Sequence, residues 1–435
     1  FYRDALDEAA RHPVKAYIFT EPGDQGRMSE FISVLLQHRI KVYRTTRAIS
    51  KEGVSYDAGV SYIVPLRQTS YRFIRSLFEP VKDFTDSLFY DVSTWVLPMS
   101  FNISYAPISL VKEFDGLAGQ EVMSAPAAEG KVEGSENSYA WLIEWNEYFS
   151  PKALYSLQSK GIKTRVTTEP FLYDDGILRK EFAAGTIVIA SQGQPFGGKD
   201  LRAILENTAS ETGISVYGVA SGMTQKGIDL GSSRIMVLEK PSVAMLSDAG
   251  SNSGDAGEIW HLLDARFGIP VTLIPASRFS ATDLNRYNVI IITGSPDIGQ
   301  AGVENLRAWN RRGNTIIGYE TGNNWLARNK LAEIEFVPET ADKRKEGIYT
   351  NRANDRQARQ IPGSIFQIRL DLTHPLCFGY TRPLLPVFKS TTSVAVMDQD
   401  IYSNPAVYTS DPLLSGYCTP NNIERIKNSP FASVH

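Results

Sequence analysis

The chain has 435 residues, 42% hydrophobic and 21% charged, with a formal net charge of −3 at pH 7. That length exceeds one ordinary hydrophobic core, so two or three domains are expected. The acidic balance, with no basic run longer than Asp342-Lys-Arg-Lys345, excludes a strongly cationic nucleic-acid surface, and no apolar run approaches the ~20 residues that span a bilayer.

The opening Phe1-Tyr2-Arg3 has neither an initiator Met nor a signal peptide, which predicts a cleavage point or boundary there. Residues 4–11 read as the tail of a helix ended by Pro13. A strand over 14–20, a helix over 26–38, strands over 40–45 and 60–66 and a helix over 70–78 then make a β-α-β-β-α unit. Residues 84–105 are dense in Phe, Tyr and Trp without helical or strand period, which predicts a packed connector or a surface covered by a neighbour. The small, polar stretch 119–138 reads as a linker.

A second pass follows: strand 139–144, helix 150–160, strands 161–168 and 186–191, helix 200–212 and strand 214–219. The third runs strand 242–247, helix 257–267, strand 269–275, strand 288–293, helix 303–312, strand 315–319 and a helix starting at Asn323. Short β-branched runs alternating with amphipathic helices are the mark of parallel sheets buried on both faces. The passes align through Tyr62, Ile187 and Val289, at spacings of 125 and 102 residues. Periods that long indicate repeated domains rather than a solenoid of about 20–50-residue units, although any three doubly wound units would look alike. The fold class is therefore α/β, with repeated doubly wound parallel-sheet units at 1–118, 119–238 and 239–435. Beyond Lys330, residues 333–357 read as a charged loop insertion, 364–372 and 387–389 as strands, and 373–380 and 411–417 as turn and loop. No terminal element is evident before His435.

Chemistry concentrates in the third unit. Gly318-Tyr-Glu-Thr-Gly322 has the pattern of a nucleophile elbow, which lifts its middle residue above the carboxyl ends of the strands. Glu320 stands there, where acyl transfer needs Cys or Ser. It reads either as a general base or cation ligand, or, in the plainer and favoured reading, as a carboxylate bonding backbone amides above the sheet. The polar turn Asp248–Asp255 and the Gly294-Ser295 pair close the neighbouring strands. They are ligand-binding candidates, although Asp248–Asp255 is more simply a helix cap. The loop Gly193-Gln-Pro-Phe-Gly-Gly-Lys199 lacks the hydroxyl a phosphate loop needs and reads as ordinary loop. No histidine begins His-x-x-Glu, and His261-Leu-Leu-Asp264 reads as a solvent-facing or capping pair, so no metal or other cofactor is expected in this chain. Cys377 and Cys418, the two cysteines, could form one bridge, although the plainer reading leaves them unpaired because nothing in the sequence fixes their separation.

Three phrases, Ser87-Leu-Phe-Tyr-Asp-Val-Ser-Thr-Trp-Val-Leu-Pro98, Leu370-Asp-Leu-Thr-His-Pro-Leu376 and Pro412-Leu-Leu-Ser-Gly-Tyr417, resemble the large zinc carboxypeptidases of bacteria. In that family an amino-terminal metallocarboxypeptidase domain precedes a long extension ending in a domain similar to class I glutamine amidotransferases. The resemblance implies that this chain is the extension, with 1–11 as the last helix of an absent catalytic domain, zinc confined to that domain, and residues 239–435 amidotransferase-like without the nucleophile. It further implies export to the periplasm or cell exterior and proteolysis of peptides by the parent enzyme. The expected function is an accessory region, itself not catalytic, that supports the catalytic domain of the same polypeptide through residues 84–105 or binds a peptide or cell-wall substrate. The alternative is a self-standing hydrolase, or a carbohydrate- or peptide-binding protein, using the cleft around Glu320 and Asp248.

Overall fold

The computed structural model describes residues 2–85, 89, 91–338 and 348–435. The basic run 342–345, residues 86–88 and 90 of the aromatic connector, and 339–347 of the charged insertion lie outside the described residues. Among the described residues no helix is long and apolar enough to cross a membrane. The architecture is α/β and includes a parallel sheet.

Helix α1 (Tyr2–Arg11) leads into the first unit: β1 (Ala16–Thr20), α2 (Gln25–Gln37), β2 (Tyr43–Thr45), the β3–β4 hairpin (Ile49–Lys51 and Val54–Tyr56), β5 (Tyr62–Pro65) and α3 (Tyr71–Phe78). After the connector come α4 (Leu97–Ser100), β6 (Ser104–Ile108), α5 (Val111–Phe114) and β7 (Ala118–Glu121). Helix α1 buries Ala5 and Ala9 in this unit and pairs Glu8 with Arg72 at 2.6 Å, so it belongs to the first core.

The first sheet runs β6-β1-β5-β2-β7, with every neighbour antiparallel. This split β-α-β arrangement, in which β5 inserts between β1 and β2, corrects the expectation of a parallel sheet. The cause of the misreading is burial. Helices α2 and α3 press Phe31, Leu35, Ile74 and Phe78 onto one face, while Tyr56 of the hairpin and Phe114 of α5 cover Ala16, Ile18 and Ile63 on the other. With both faces covered, four-residue strands lose their polar alternation and look like the core of a parallel sheet.

The second unit comprises β8 (Lys131–Glu133), β9 (Ala140–Ile143), α6 (Ser150–Ser159), β10 (Thr164–Thr167), the β11–β12 hairpin (Phe171–Asp174 and Arg179–Phe182), β13 (Ile187–Ala190), α7 (Gly198–Thr212), β14 (Ser215–Val219), β15 (Lys226–Gly227) and β16 (Ile235–Leu238). Its sheet, β16-β10-β13-β9-β14-β8, is again antiparallel except where β8 joins β14 in parallel. From β14 to β16 it repeats the first sheet strand for strand, with the hairpin at the same point.

The repetition reaches individual hydrogen bonds. In the first unit the Gln68 side chain accepts from Lys41 N at 2.8 Å and donates to Lys41 O at 3.0 Å and Pro65 O at 2.8 Å. In the second, Gln194 accepts from Lys163 N at 2.8 Å and donates to Lys163 O and Ala190 O, both at 2.9 Å. Each amide side chain thus clamps the start of one strand to the end of the next. Helices α2 and α6 also end alike, with Arg39 at φ +58° and Gly161 at φ +84° reversing the chain. Gly161 adopts that conformation freely, whereas Arg39 carries a Cβ into it.

The third unit has β17 (Val243–Ser247), α8 (Ser253–Trp260), β18 (Val271–Pro275), β19 (Val289–Thr293), α9 (Gly299–Asn310), β20 (Thr315–Tyr319) and α10 (Thr321–Arg328). Its sheet alone is wholly parallel, in the order β18-β17-β19-β20. It does not repeat the first two, so the alignment through Val289 reflects only a shared strand composition. Helix α8 continues as a π-helical turn over His261–Arg266, after which Asp264 accepts from Val271 N at 3.1 Å. The Asp of the His261–Asp264 pair therefore closes the crossover to β18.

The chain continues through α11 (Arg352–Gln357), β21 (Ser364–Leu370), β22 (Leu384–Lys389), β23 (Ala406–Ser415), α12 (Pro420–Ile426) and β24 (Pro430–Ala432), with the antiparallel order β22-β21-β23-β24. Two expectations are corrected here. Most of 411–417 is strand, obscured by register shifts that break the alternation of β23, and α12 and β24 supply terminal elements. The connector packs on this sheet: Ser93 Oγ donates to Gly363 O at 2.6 Å, Thr94 Oγ1 meets Ser415 Oγ at 2.7 Å, and Phe84 and Phe89 flank Tyr417. The neighbour that covers its described part is the chain's own carboxyl-terminal sheet.

Two arginines tie the units together. Arg266 of the third unit reaches Glu30 of the first at 2.7 Å and the Tyr148 hydroxyl of the second at 3.2 Å. Arg382, after β21, reaches Glu21, Ser104 Oγ and Asn102 O of the first unit. Truncating Gln68→Ala and Gln194→Ala is expected to cost about 1 kcal/mol each, since each frees strand-end groups already near solvent. Arg39→Gly is expected to stabilise the first unit by up to about 1 kcal/mol, because it relieves the left-handed residue. Urea unfolding of the three variants checks both signs.

Candidate functional site

The strand order places a switch point between β17 and β19, where the chain departs to opposite sides and α/β proteins open a ligand crevice. Here the loops beyond those strands are stitched together. Ser295 N donates to Gly250 O at 2.7 Å, Asn252 N donates to Thr293 O at 2.6 Å, and Ser251 bridges Gly294. Gly294, at φ +109°, and Ser295, whose hydroxyl accepts from Arg328 at 2.6 Å, are engaged in holding loops. Asp248 is exposed at φ +77° and its carbonyl accepts from Ser251 N. Asn252, not Asp248, caps α8, accepting from Gly254 N and Asp255 N.

The elbow is formed. Glu320 has φ +46° and ψ −115°, strained for a residue with a Cβ, and α10 starts immediately after it. The flanking glycines serve close approach rather than a left-handed turn. A Cβ on Gly322 would lie 2.2 Å from Ile292 O, and one on Gly318 would lie 2.3 Å from Asn323 Oδ1. The sharp turn is thus borne by Glu320 itself, while its neighbours let α10 sit against β19 and β20.

Among the described residues no backbone amide donates to the Glu320 side chain. Its Oε2 accepts from Thr391 Oγ1 at 2.5 Å, from the segment following β22. Lys389, only 8% exposed, stands behind, donating to Thr391 Oγ1 at 3.2 Å and to Ser393 O at 2.8 Å. Burial pushes its ammonium down from the usual lysine range, opposed by the charge of Glu320. Ser393 Oγ in turn reaches Asn324 Oδ1 at 3.3 Å. The segment 389–393 therefore straps the elbow to the carboxyl-terminal sheet.

On the other side stands Asp255, whose buried Oδ2 has no hydrogen-bond partner among the described residues. Burial, then the charges of Glu320 and Glu258, push it up to about 6. Burial and the same carboxylates push the half-exposed Tyr319 up to about 12. Sequence named Glu320 and the turn containing Asp255, but put its weight on Asp248. Lys389 and Thr391 carry no local signal, being some seventy residues along the chain.

Neither cysteine stands at the elbow, and both are free thiols. Burial pushes both upward, Cys418 to about 12, which leaves little thiolate at neutral pH. Among the described residues no group of three or more His, Cys, Asp or Glu is arranged to hold a metal ion. A surface hollow of about 790 Å³ lined by Tyr349, Arg352, Arg356 and Gln360 lies apart from the elbow, and among the described residues its lining offers no carboxylate, thiol or imidazole. Compared with protein-family models, curated proteins and solved structures, the chain matches none.

Gly322→Ala is expected to destabilise the third unit by about 1–3 kcal/mol or more through overpacking against Ile292, measured by urea unfolding. Asp255 is expected to titrate near pH 6 by carboxyl carbon NMR, and its midpoint should fall in Glu320→Gln, which removes a like charge. Because its folded value lies above the ordinary one, its contribution to stability is full below about pH 4 and is lost as pH rises through about 6.

Proposed function

We propose that this chain is the non-catalytic accessory region of an exported bacterial zinc carboxypeptidase, its third unit amidotransferase-like with Glu320 where the nucleophile would stand. The observation that carries this reading is the fastening of that carboxylate. A side chain that attacks an acyl group must be an activated thiol or hydroxyl facing open space, whereas Glu320 is held by Thr391 with Lys389 behind it. The elbow is retained as a structural joint between the parallel sheet and the carboxyl-terminal sheet. The family resemblance supplies the rest: a zinc-dependent catalytic domain in the same polypeptide, peptides as its substrates, and a periplasmic or extracellular setting.

A second reading rests on Asp255. A carboxyl raised toward neutrality beside an ionisable partner is the usual make-up of an acid–base pair, and would suit a self-standing hydrolase or a carbohydrate- or peptide-binding protein.

The two are separated by assaying this chain alone, and joined to a metallocarboxypeptidase domain, on the same C-terminal peptide substrates. The accessory reading expects release of C-terminal residues from the joined protein only, unaffected in rate constant by Glu320→Gln. Hydrolysis by the isolated chain that disappears in both Glu320→Gln and Asp255→Asn would sink it in favour of the second.

A further inference from the structure

Away from the elbow, the seam between the first two units gathers carboxylates that the proposed function does not use. Asp24 is 3% exposed and both its oxygens are engaged. Oδ1 accepts from Arg27 N at 2.9 Å, capping α2, and Oδ2 accepts from Tyr148 N at 2.7 Å, across the seam. The next carboxylate is one residue from that contact. Glu147 accepts a long bond, 3.3 Å, from Ser215 N at the start of β14.

The cations near this pair are already engaged. Arg27 lies 3.1 Å from Asp24, and Lys180 lies 3.0 Å from Glu144. A third acid, Glu21, is held by Arg382 at 3.1 Å. Glu147, next in the chain to the Tyr148 amide that Asp24 holds, therefore lies within the fields of Asp24 from the first unit and Glu144 from its own, opposed by Lys180, which Glu144 shares.

We infer that this seam is a pH-governed joint, closed while Glu147 carries a proton and loosened when it ionises beside Asp24. Burial first, then Asp24 and Glu144, push Glu147 up to about 7. Burial also raises Asp24 and Glu21. The folded value of Glu147 lies above its ordinary one, so the stabilisation is complete below about pH 4.5 and is lost as pH rises through about 7. Arg266, bonded to Glu30 and to the Tyr148 hydroxyl, does not titrate in this range and holds the units together as the joint loosens.

The amide of Tyr148, received by Asp24 across the seam, reports the joint directly, and that of Arg27, received by the same carboxylate within the first unit, serves as the internal reference. The hydrogen exchange of Tyr148, corrected for intrinsic rates, is measured at pH 5.5 and pH 8. The seam's opening equilibrium is expected to rise about ten-fold or more over that interval in the natural chain. It should stay level in Glu147→Gln, which keeps the bond to Ser215 and cannot ionise. Equal protection at both pH values in the natural chain, or the same loss in Glu147→Gln, overturns the inference. Should Glu147→Gln fail to fold, carboxyl carbon NMR of the natural chain decides. A Glu147 midpoint near 7 supports the joint, and one at its ordinary value near 4.5 refutes it.

Discussion

The contact between the backbone at Gly322 and the carbonyl of Ile292 is the constraint on which the third unit turns. Because no side chain fits there, α10 can begin directly over the ends of β19 and β20, and the reversal must be absorbed one residue earlier. Glu320 absorbs it in a conformation that costs on the order of 1–3 kcal/mol for a residue with a Cβ. Glycine would adopt it freely, so the surroundings must over-determine the residue. The helix behind it, the strap 389–393 in front and the bond from Thr391 do so together.

The first two units obey a different constraint. Each sheet is covered by two helices on one side and a hairpin on the other, so strands of three to five residues suffice for a core. Repetition of the whole arrangement, down to the amide clamps of Gln68 and Gln194, makes these units structural equivalents with divergent surfaces. Gln194 lies in the glycine-rich loop that superficially suggested phosphate binding, and its clamp gives that loop a structural reason to exist.

The order of strands and helices was legible in the sequence because apolar runs and capping residues are local signals. Strand direction was not. Runs such as Ala16-Tyr-Ile-Phe-Thr20 and Ala140-Trp-Leu-Ile143 are buried on both faces, and nothing local in them distinguishes a parallel from an antiparallel partner. The elbow was legible through its two glycines, although their role is close approach rather than turning. Its partners were not, because Lys389 and Thr391 meet Glu320 only through the packing of one sheet on another. Gly294 and Ser295 had the right location but proved to be spent on loop pairing. Two of the phrases on which the carboxypeptidase expectation rests, around Ser93 and Ser415, touch each other, a long-range contact that neither phrase shows locally.

Strand β8 distinguishes the second sheet from the first. It is the unit's first strand in the chain, yet its partner β14 comes among the last, with Ser215 opposite Lys131. The segment can therefore pair only once β14, far along the chain, has been made and placed. It lies along the far edge of the sheet as a latch, tying the stretch ahead of β9 to the strand that follows α7.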